Sequence, residues 1–529
     1  MGTDDKTLLD DVSEKPGPPA EPLPYRPDRT VREYLARNRR ESAVDLATPG
    51  QLGRGALLGA AALLLLAYDY KVFWAGLLFL LSGFYLAAIL YKLVTVLRSL
   101  CGAHEIRVSP EELSALREED LPVYTVLVPL YRESAVAGRI VAAMERLDYP
   151  AEKLDVKFLL EEDDASTARA CTGLALPEGA EIVLVPHSFP KTKPKACMHG
   201  LARARGEYLV IYDAEDRPEP DQLRKAVAAF RRAEERVACL QVKLNYYNPD
   251  ENRLTKWFTI EYTAWFDLFL PGLHSLGAPI PLGGTSNHFR TAILREVGGW
   301  DPFNVTEDCD LGIRLHRRGF RTAILDSTTW EEANSRLGNW IRQRSRWVKG
   351  YLQTHLVHTR SIVQTLKELG PFGAASFLLT VGGLSLTLLL NPVFWTILLL
   401  YGGLWAGAAL GFGVHPWQMI YTDRVSDIDL SFTLWSRLSW VFFGVSGVLF
   451  LANGVFILIN VLACFRRGLG RLAPLALLSP LYWALISLAA WKGLVQLLFR
   501  PSYWEKTRHG LMRGPAPGDP GAENPAHDR

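Results

Sequence analysis

The long apolar runs of this chain lie before residue 100 and after residue 370, and the stretch between them contains none. Residues 55–68 and 72–91 read as a hairpin of two membrane helices, with Asp69-Tyr70-Lys71 at its tip. Four further runs occupy residues 371–390, 393–412, 440–465 and 472–491. Since a helix needs roughly 20 apolar residues to cross a bilayer, we expect a polytopic membrane protein with six crossings and a water-facing domain in the middle.

Basic residues mark one side of the first hairpin as cytoplasmic. They are Arg32, Arg37, Arg39, Arg40, Lys92 and Arg98. Lys and Arg are enriched in the cytoplasmic loops of membrane proteins, so we expect a multi-pass protein of the inner (plasma) membrane with its central domain in the cytoplasm. No signal peptide is expected, because the first apolar run follows an acidic, proline-rich segment. Arg466, Arg467 and Arg471 oppose this topology, because they fall outside if all four C-terminal runs cross.

The expected organisation has five parts. They are a disordered and basic N-terminal segment (1–50), two transmembrane helices (51–97), a central domain with interfacial helices (98–370), four transmembrane helices with an interfacial segment at 413–437 (371–499), and a cytoplasmic tail (500–529). The two ends of the chain are rich in proline and charge, and such segments cannot repay the entropy of ordering.

Composition excludes several functions. The formal net charge of +2 is too near balance for a nucleic-acid binder, which usually carries a strongly basic domain. The six cysteines are scattered without CxxC spacing, so neither a zinc site nor a disulfide framework is expected.

The central stretch has the pattern of an α/β fold. Apolar segments predict strands at residues 124–130, 156–160, 181–185, 208–212 and 238–242. Most are apolar on both faces, and helical patterns such as 135–147 and 221–236 separate them. This alternation predicts a mostly parallel sheet whose ligand lies beyond the carboxyl ends of the strands.

Polar side chains follow the first two predicted strands. Tyr131 and Glu133 come after the first, and residues 161–164 (Glu-Glu-Asp-Asp) end the second. Acceptors at adjacent strand ends could hold the donor groups of a nucleobase and a ribose. A solvated acidic loop is the alternative, and taken alone it is favoured.

The fourth predicted strand delivers Asp213-Ala214-Glu215-Asp216 into a loop. Carboxylates at alternate positions suit Mg²⁺ or Mn²⁺ bridging a diphosphate. Lys191, Lys193 and Lys195 precede this strand and would add countercharge. An acidic turn without a metal is the alternative.

Thr306-Glu307-Asp308 precedes Leu311 and Leu315, which lie one helical turn apart. The pattern predicts a helix that starts here, with Thr306 as its N-cap. By themselves the two acids indicate only compensation of the helix dipole.

A basic and aromatic helical segment follows. Gln343, Arg346 and Trp347 lie at i, i+3 and i+4 and share one face. An amide, a guanidinium and an indole on one face can hold a diphosphate leaving group and stack on a sugar ring. The alternative, a helix on the membrane surface, explains the composition but not the shared face.

These motifs resemble those of a known family. Their order is Asp163/Asp164, Asp213-Ala-Glu215, Thr306-Glu307-Asp308 and Gln343-x-x-Arg346-Trp347. In this order, between membrane helices, they resemble the processive family 2 glycosyltransferases, which include bacterial cellulose synthases, hyaluronan and chitin synthases, and mannan and mixed-linkage glucan synthases. The resemblance covers residues 100–350 and, by layout, the flanking helices. It implies a GT-A fold and an inverting transfer of sugar from a UDP- or GDP-sugar.

The resemblance also implies roles for individual residues. Asp308 would be the general base on the acceptor hydroxyl, and Asp213 and Glu215 would bind the Mg²⁺ or Mn²⁺. The nucleotide-sugar donor would contact Tyr131, Glu133, one of Asp163 and Asp164, Lys195 and Asp213. The diphosphate and the acceptor end of a polymer channel would contact Glu307, Gln343, Arg346 and Trp347.

Two departures from the family pattern matter. The second acid of the usual Asp-x-Asp is Glu215, with Asp216 beside it, so which of the two ligates the metal stays open. No segment after the last run is expected to form the cyclic-dinucleotide-binding barrel of many bacterial cellulose synthases. Residues 501–510 and 213–220 look most like a bacterial exopolysaccharide branch that includes the glycosyltransferase-like component of the phage N4 receptor.

The expected function is therefore a membrane-embedded synthase that extends a β-linked polysaccharide and passes it through its own helices. Its expected partners are the nucleotide sugar, the growing polysaccharide, the lipid bilayer and an export or periplasmic component. Two alternatives stay open: a glycosyltransferase that acts once on a lipid acceptor, and a non-enzymatic export or adsorption component with a nucleotide-sensing domain. The sequence leaves the sugar open, because the pocket residues that select it come from several loops.

Overall fold

The computed structural model of the protein describes residues 26–102, 104–411 and 453–512. The predicted interfacial segment at 413–437, the first half of the run predicted at 440–465 and both chain ends lie outside the described residues.

The regular elements of the described residues follow in chain order. The strands are β1 (Tyr124–Leu130), β2 (Leu154–Glu161), β3 (Glu181–Val185), β4 (Tyr208–Ile211), β5 (Arg217–Pro218), β6 (Val237–Tyr246), β7 (Asn287–Arg290) and β8 (Arg321–Glu331). The helices are α1 (Arg29–Asn38), α2 (Pro49–Tyr68), α3 (Tyr70–Leu100), α4 (Pro110–Ser114), α5 (Ala137–Glu145), α6 (Ala165–Thr172), α7 (Lys193–Arg203), α8 (Gln222–Arg232), α9 (Arg253–Ala264), α10 (Leu270–Ser275), α11 (Thr291–Glu296), α12 (Glu307–Arg317), α13 (Leu337–His358), α14 (Ile362–Phe377), α15 (Gly383–Ala409), α16 (Asn453–Arg466), α17 (Ala473–Ala476) and α18 (Ser479–Phe499).

The strands form one sheet in the order β3-β2-β1-β4-β7-β6-β8-β5. The first four run parallel, with Tyr124 of β1 paired to Leu154 on one side and to Tyr208 on the other. β7 is antiparallel to both neighbours, β6 and β8 are parallel, and β5 is antiparallel to β8. The predicted, mostly parallel α/β sheet is confirmed. Because β1 and β4 are adjacent and parallel, their carboxyl ends deliver Tyr131 and Asp213 to the same edge.

Side chains alternate between the two faces of this sheet. Val126 and Val128 of β1 pack in one core with Ile140 of α5, and Leu127 packs in the other with Leu201 of α7. Both faces are covered by helices, which is why β4 and most of β1 are apolar on both faces. β8 was not predicted, because it carries Asp, Ser and three Thr along its eleven residues and so lacks the continuous apolar run.

Four helices of the described residues are long and apolar enough to cross a membrane: Pro49–Tyr68, Val72–Leu100, Ile362–Val393 and Ser479–Phe499. The first two are the predicted hairpin. The runs predicted separately at 371–390 and 393–412 are joined, because α15 continues through Pro392. A proline removes one backbone hydrogen bond from a helix and need not end it.

The end of α16 lies beside the central domain. Arg467 donates two hydrogen bonds of 2.8 Å to Asp267, and Arg471 pairs with Asp250 at 2.6 Å. Asp250 precedes α9 and Asp267 follows it. These arginines are therefore on the side of the central domain, and not on the far side that six crossings imply.

α18 overlaps the last predicted crossing, but both of its ends contact the central domain. The Trp257 indole donates to the Leu475 carbonyl before α18 at 3.1 Å, and Lys349 donates to the Arg500 carbonyl after it at 3.5 Å. The two ends therefore lie on one side, and α18 packs along α13. Its outer face carries exposed apolar residues such as Leu488. Composition alone cannot distinguish such a helix from one that crosses.

Candidate active site

A cavity of about 810 Å³ opens at the carboxyl ends of β1 and β4. Most of the predicted site residues line it: Tyr131, Glu133, Asp213, Glu215, Glu307, Asp308, Gln343, Arg346 and Trp347. The fold thus gathers four segments that are far apart in the sequence. Asp163, Asp164 and Lys195 are the predicted residues that do not line it.

Residues 213–216, which follow β4, form the first acidic turn of the cavity. Asp213 Oδ1 lies 2.5 Å from Lys193 Nζ. Asp216 points inward, where it accepts hydrogen bonds from the Asp213 amide at 2.7 Å and from the Thr285 hydroxyl. The geometry therefore leaves Asp213 and Glu215 as the two carboxylates of this turn that face the cavity.

A cation stands beside each of these two acids. Burial favours the neutral form of Lys193, but Asp213 and Glu307 raise the pKa of its ammonium above the usual value. Burial likewise favours the protonated form of Glu215. However, Nδ1 of His509 lies 2.7 Å from Oε1 of Glu215, and this histidine holds the pKa of Glu215 below its usual value. Asp213 and Glu215 are thus paired with cations, and the Glu215 carboxylate stays ionised.

Residues 500–512, which we call the strap, supply that histidine. Lys506 of the strap pairs with buried Glu133. The backbone amides at positions 510, 511 and 512 donate to the Glu332 carboxylate at 2.8, 2.7 and 2.9 Å. The predicted cytoplasmic tail (500–529) therefore begins with a segment that forms part of the cavity wall. The sequence showed the charged and aromatic residues of the strap, but only the fold brings them to β1 and β4.

Residues 306–308 form the second acidic turn. α12 begins at Glu307 as predicted, although the Thr306 side chain makes no capping hydrogen bond. The chain just before it is fixed to α13: the Val305 amide donates to Gln353 at 3.1 Å, and Asn304 donates to Thr354 at 3.0 Å. The turn is therefore positioned by α13, the helix that also carries Gln343, Arg346 and Trp347.

Gly350 permits this close packing of α13 on the second acidic turn. A Cβ at Gly350 would lie 2.3 Å from Thr306 Oγ1, well inside van der Waals contact. Any larger residue would displace the turn or the helix.

Glu307 and Asp308 are buried beside each other. Burial, and then the charge of Asp308, raises the pKa of Glu307 to about 8. Burial also raises the pKa of Asp308, although the Cys309 amide and Lys193 oppose that shift. A carboxylate whose pKa is raised toward neutrality is a better proton acceptor near physiological pH.

Gln343, Arg346 and Trp347 line the cavity from α13. The Arg346 guanidinium lies 4.5 Å from the centre of the Trp504 ring of the strap, and its NH1 donates to the Val305 carbonyl at 3.3 Å. Its Nε is buried without a hydrogen-bond partner among the described residues. This arginine therefore has hydrogen-bonding capacity left for a ligand in the cavity.

Asp163 and Asp164 do not line the cavity themselves, but each contacts a residue that does. Asp164 caps α6, accepting from the Thr167 amide at 3.2 Å, and also accepts from the Arg132 amide. Asp163 pairs with Lys191, whose ammonium lies 4.9 Å from the centre of the Tyr131 ring. These two acids therefore shape the loop that presents Tyr131, while Glu161 at the end of β2 lines the cavity.

Lys195 also differs from its predicted place. It is fully buried, and its ammonium donates to Glu161 at 3.2 Å and to the Pro186 carbonyl at 2.9 Å. Lys193, two positions earlier in α7, reaches the cavity instead. Residues two apart in a helix point about 200° apart, so only one of the two lysines can face the site.

The residues present fit a divalent cation bridged by a diphosphate. Asp213 and Glu215 offer two hard carboxylate ligands from one turn, and Mg²⁺ in nucleotide sites is typically held by one or two carboxylates together with phosphates. Within residues 26–102, 104–411 and 453–512, no group of three or more His, Cys, Asp or Glu side chains forms a closed metal site. A cation here would therefore depend on the substrate for its remaining ligands.

Comparison with known proteins shows a family similarity over part of the chain. Residues 208–414 match the family model described as "Glycosyl transferase family group 2". This region starts at β4 and contains both acidic turns and the Gln343 face. Residues 208–414 are therefore similar to family 2 glycosyltransferases. The mostly parallel sheet and the four long apolar helices of the described residues fit the predicted GT-A domain in a membrane protein.

Several curated proteins are similar to the chain over part of their length. The probable glycosyltransferase YdaM of Bacillus subtilis is 27% identical over 240 residues, which are 44% of this chain and 56% of that protein. The beta-monoglucosyldiacylglycerol synthase of Trichormus variabilis is 27% identical over 307 residues, 56% of this chain and 62% of that protein. Cellulose synthase 2 of Novacetimonas hansenii is 30% identical over 241 residues, 44% of this chain and 15% of that protein. The matches thus span about half of the first relatives' own lengths.

Proposed function

We propose that this protein is an inverting hexosyltransferase that polymerises a UDP- or GDP-sugar into a β-linked polysaccharide. The observation that carries the proposal is the extent of the cavity. It is lined at one end by Asp213 and Glu215, and it is also lined by Trp347 and by Leu384 of the apolar helix α15. A sugar chain that leaves the acidic end of the cavity would therefore meet a membrane helix.

In the proposed reaction the acceptor hydroxyl attacks the anomeric carbon of the donor sugar and gives its proton to Asp308. The bond from that carbon to the diphosphate breaks, and the nucleoside diphosphate leaves. Lys193 and Arg346 provide positive charge next to the two acidic turns, where the leaving group gains negative charge. Mg²⁺ or Mn²⁺ held by Asp213 and Glu215 would neutralise further charge on the diphosphate.

The nucleoside would lie at the β1 side of the cavity, against Tyr131 and Glu133. Gln343 and Trp347 would face the sugar and the acceptor from α13. We further propose that the enzyme lies in the plasma membrane with this domain in the cytoplasm, and that the product crosses between its own helices towards an export partner.

The second candidate is a glycosyltransferase that adds a single sugar to a lipid acceptor. The observation that favours it is the similarity to a glycolipid synthase, which extends over 56% of this chain. Membrane vesicles supplied with each UDP- or GDP-sugar and Mg²⁺ or Mn²⁺ would separate the two. Polymer that grows with time from one donor supports the synthase, and a lipid that carries one sugar supports the second candidate. No incorporation from any donor would contradict both.

A further inference from the structure

A second cavity, of about 730 Å³, lies away from the candidate active site. It is formed by the C-terminal end of α3 and the residues after it, by β6 and β8, by the turn that follows α9, and by the end of α16. The residues used below are Glu105, Lys243, Asp267, Trp330, Arg466 and Arg467.

The cavity is at the boundary between the membrane helices and the domain. Leu100, the last residue of the apolar helix α3, lines it, and so does Arg466, the last residue of the apolar helix α16. Phe465, next to Arg466, is exposed. α3 is long and apolar enough to cross a bilayer, and the ends of crossing helices lie at the level of the lipid headgroups. We therefore expect this cavity to open at that level.

Most charges in the cavity are already paired. Lys243 pairs with Asp326, and Arg467 forms a two-point pair with Asp267 at 2.8 Å. Arg467 also donates to Thr328 at 3.0 Å. These contacts fix the wall and leave those side chains little capacity for a ligand.

Two charged groups of opposite sign keep capacity for a ligand: Arg466, and one carboxylate oxygen of Glu105. Arg466 is exposed and makes no ion pair with any residue in the described part of the chain. Glu105 has a side chain that is 4% exposed: its Oε2 lies 3.3 Å from Lys243 Nζ, but its Oε1 is buried without a hydrogen-bond partner among the described residues. A buried carboxylate oxygen without a donor is costly, so its place in a cavity wall points to a ligand that donates there.

We propose that this second cavity binds the headgroup of an aminophospholipid, a phosphodiester joined to a primary ammonium. Its phosphate accepts hydrogen bonds from Arg466, and its ammonium donates to Glu105 Oε1. The partly exposed Trp330 ring, already 5.3 Å from the Arg467 guanidinium, offers an aromatic surface beside the headgroup. The acyl chains lie along α3 and α16, which are apolar up to the cavity.

Arg466 and Glu105 Oε1 together would discriminate among lipids by the chemistry of the headgroup. A choline headgroup has the same charges, but its quaternary ammonium has no N–H to donate to Glu105. A glycerol headgroup has hydroxyls but no cation. Inorganic phosphate satisfies Arg466 alone. Because a hydrogen bond to a charged group is worth enough to change an affinity about tenfold, we expect about tenfold tighter binding of the ethanolamine lipid than of the choline lipid.

The test uses the full chain in a detergent without phosphate. Dihexanoyl phosphatidylethanolamine, phosphatidylcholine, phosphatidylglycerol and inorganic phosphate are titrated separately, and binding is measured by calorimetry. The expected order places phosphatidylethanolamine first. Equal affinity for the ethanolamine and choline lipids overturns the proposal, and so does inorganic phosphate that binds as tightly as the ethanolamine lipid.

Two substitutions locate the site. Arg466→Gln is expected to weaken all three lipids, whereas Glu105→Gln is expected to remove the preference for ethanolamine over choline. Arg471→Gln is the matched control, because Arg471 lies five positions away and pairs with Asp250 outside the cavity. If neither cavity variant changes the lipid affinity, the lipid binds elsewhere and the proposal is overturned. The same holds if Arg471→Gln changes the affinity as much as the cavity variants do. If a variant fails to fold, the ethanolamine and choline titrations of the unaltered protein still decide.

Discussion

The two acidic turns of the active-site cavity are built in opposite ways. In the first, residues 213–216, a separate donor meets each acid: Lys193 for Asp213, His509 for Glu215 and Thr285 for Asp216. In the second, residues 306–308, the two acids are buried next to each other. Asp213 and Glu215, the two acids of the first turn that are paired with basic side chains, are suited to hold a cation. The two neighbouring acids of the second turn have raised pKa values and are suited to accept a proton.

The strongest test of this contrast is Asp308→Asn. If Asp308 is the base, the substitution removes proton transfer and should lower kcat about 10²–10⁴-fold. Affinity for the nucleoside diphosphate with Mn²⁺ should stay within about twofold, because the first turn is untouched. Sugar incorporation and calorimetry measure the two quantities. Near-normal turnover, or an equal loss of nucleotide affinity, would contradict the division of labour.

Asp213→Asn tests whether the first turn binds the metal ion. We expect the metal concentration needed for half-maximal activity to rise about 10–100-fold, because one of two carboxylate ligands is lost. Asp221→Asn is the control, since Asp221 pairs with Lys225 at 2.8 Å outside the cavity. The assignment fails if both variants need the same metal concentration as the unaltered protein.

Gly350→Ala tests whether α13 positions the second turn. The added methyl group collides with Thr306 and should shift Asp308, which we expect to lower kcat up to about 10²-fold. Gly338→Ala in the same helix is the control, because its Cβ would have no neighbour within 4 Å. Melting temperatures show whether the first variant is folded. Equal kcat for both variants would mean that the turn does not depend on this contact.

His509→Gln removes the strap's partner for Glu215. The amides at positions 510–512, which bond to Glu332, should exchange with solvent up to about tenfold faster, because a charge-assisted contact that holds the strap is lost. Arg508→Gln, at an exposed strap residue, is the control. Unchanged exchange in His509→Gln would show that Glu332 and Lys506 suffice to hold the strap.

The smallest expected effect is that of Glu307→Gln on the pH profile. The proposed base must be ionised, so activity should rise with pH through the raised pKa of Asp308. Removing the neighbouring acid lowers that pKa and moves the rise to lower pH. The shift should be less than about one unit, because Glu307, with a pKa of about 8, is largely protonated near neutrality. A shift to higher pH would contradict the coupling.

Much of the sheet was predictable and part of the site was not. β1 has its predicted bounds, because a buried parallel strand is a continuous apolar run. β3 also has its predicted bounds, although it lies at the edge of the sheet and is only partly buried. β7 and β8 contain many polar residues, so a search for continuous apolar runs does not predict them. Asp164 is predicted as a site residue because it follows a strand in the sequence, but in the structure it caps α6. Its spacing did not show which side of the loop it faces, since helix capping and ligand binding favour the same residue type.

The sequence by itself determined the class of fold and the residue types of the site, because hydrophobic periodicity and short motifs are local properties. It placed Asp213, Glu215, Glu307 and Asp308 beyond strands or at a helix start, where the structure has them. Only the tertiary structure decided which groups meet: Lys193 rather than Lys195 in the cavity, His509 against Glu215, and α18 along α13. These contacts join residues far apart in the chain, and their geometry depends on how helices and strands pack.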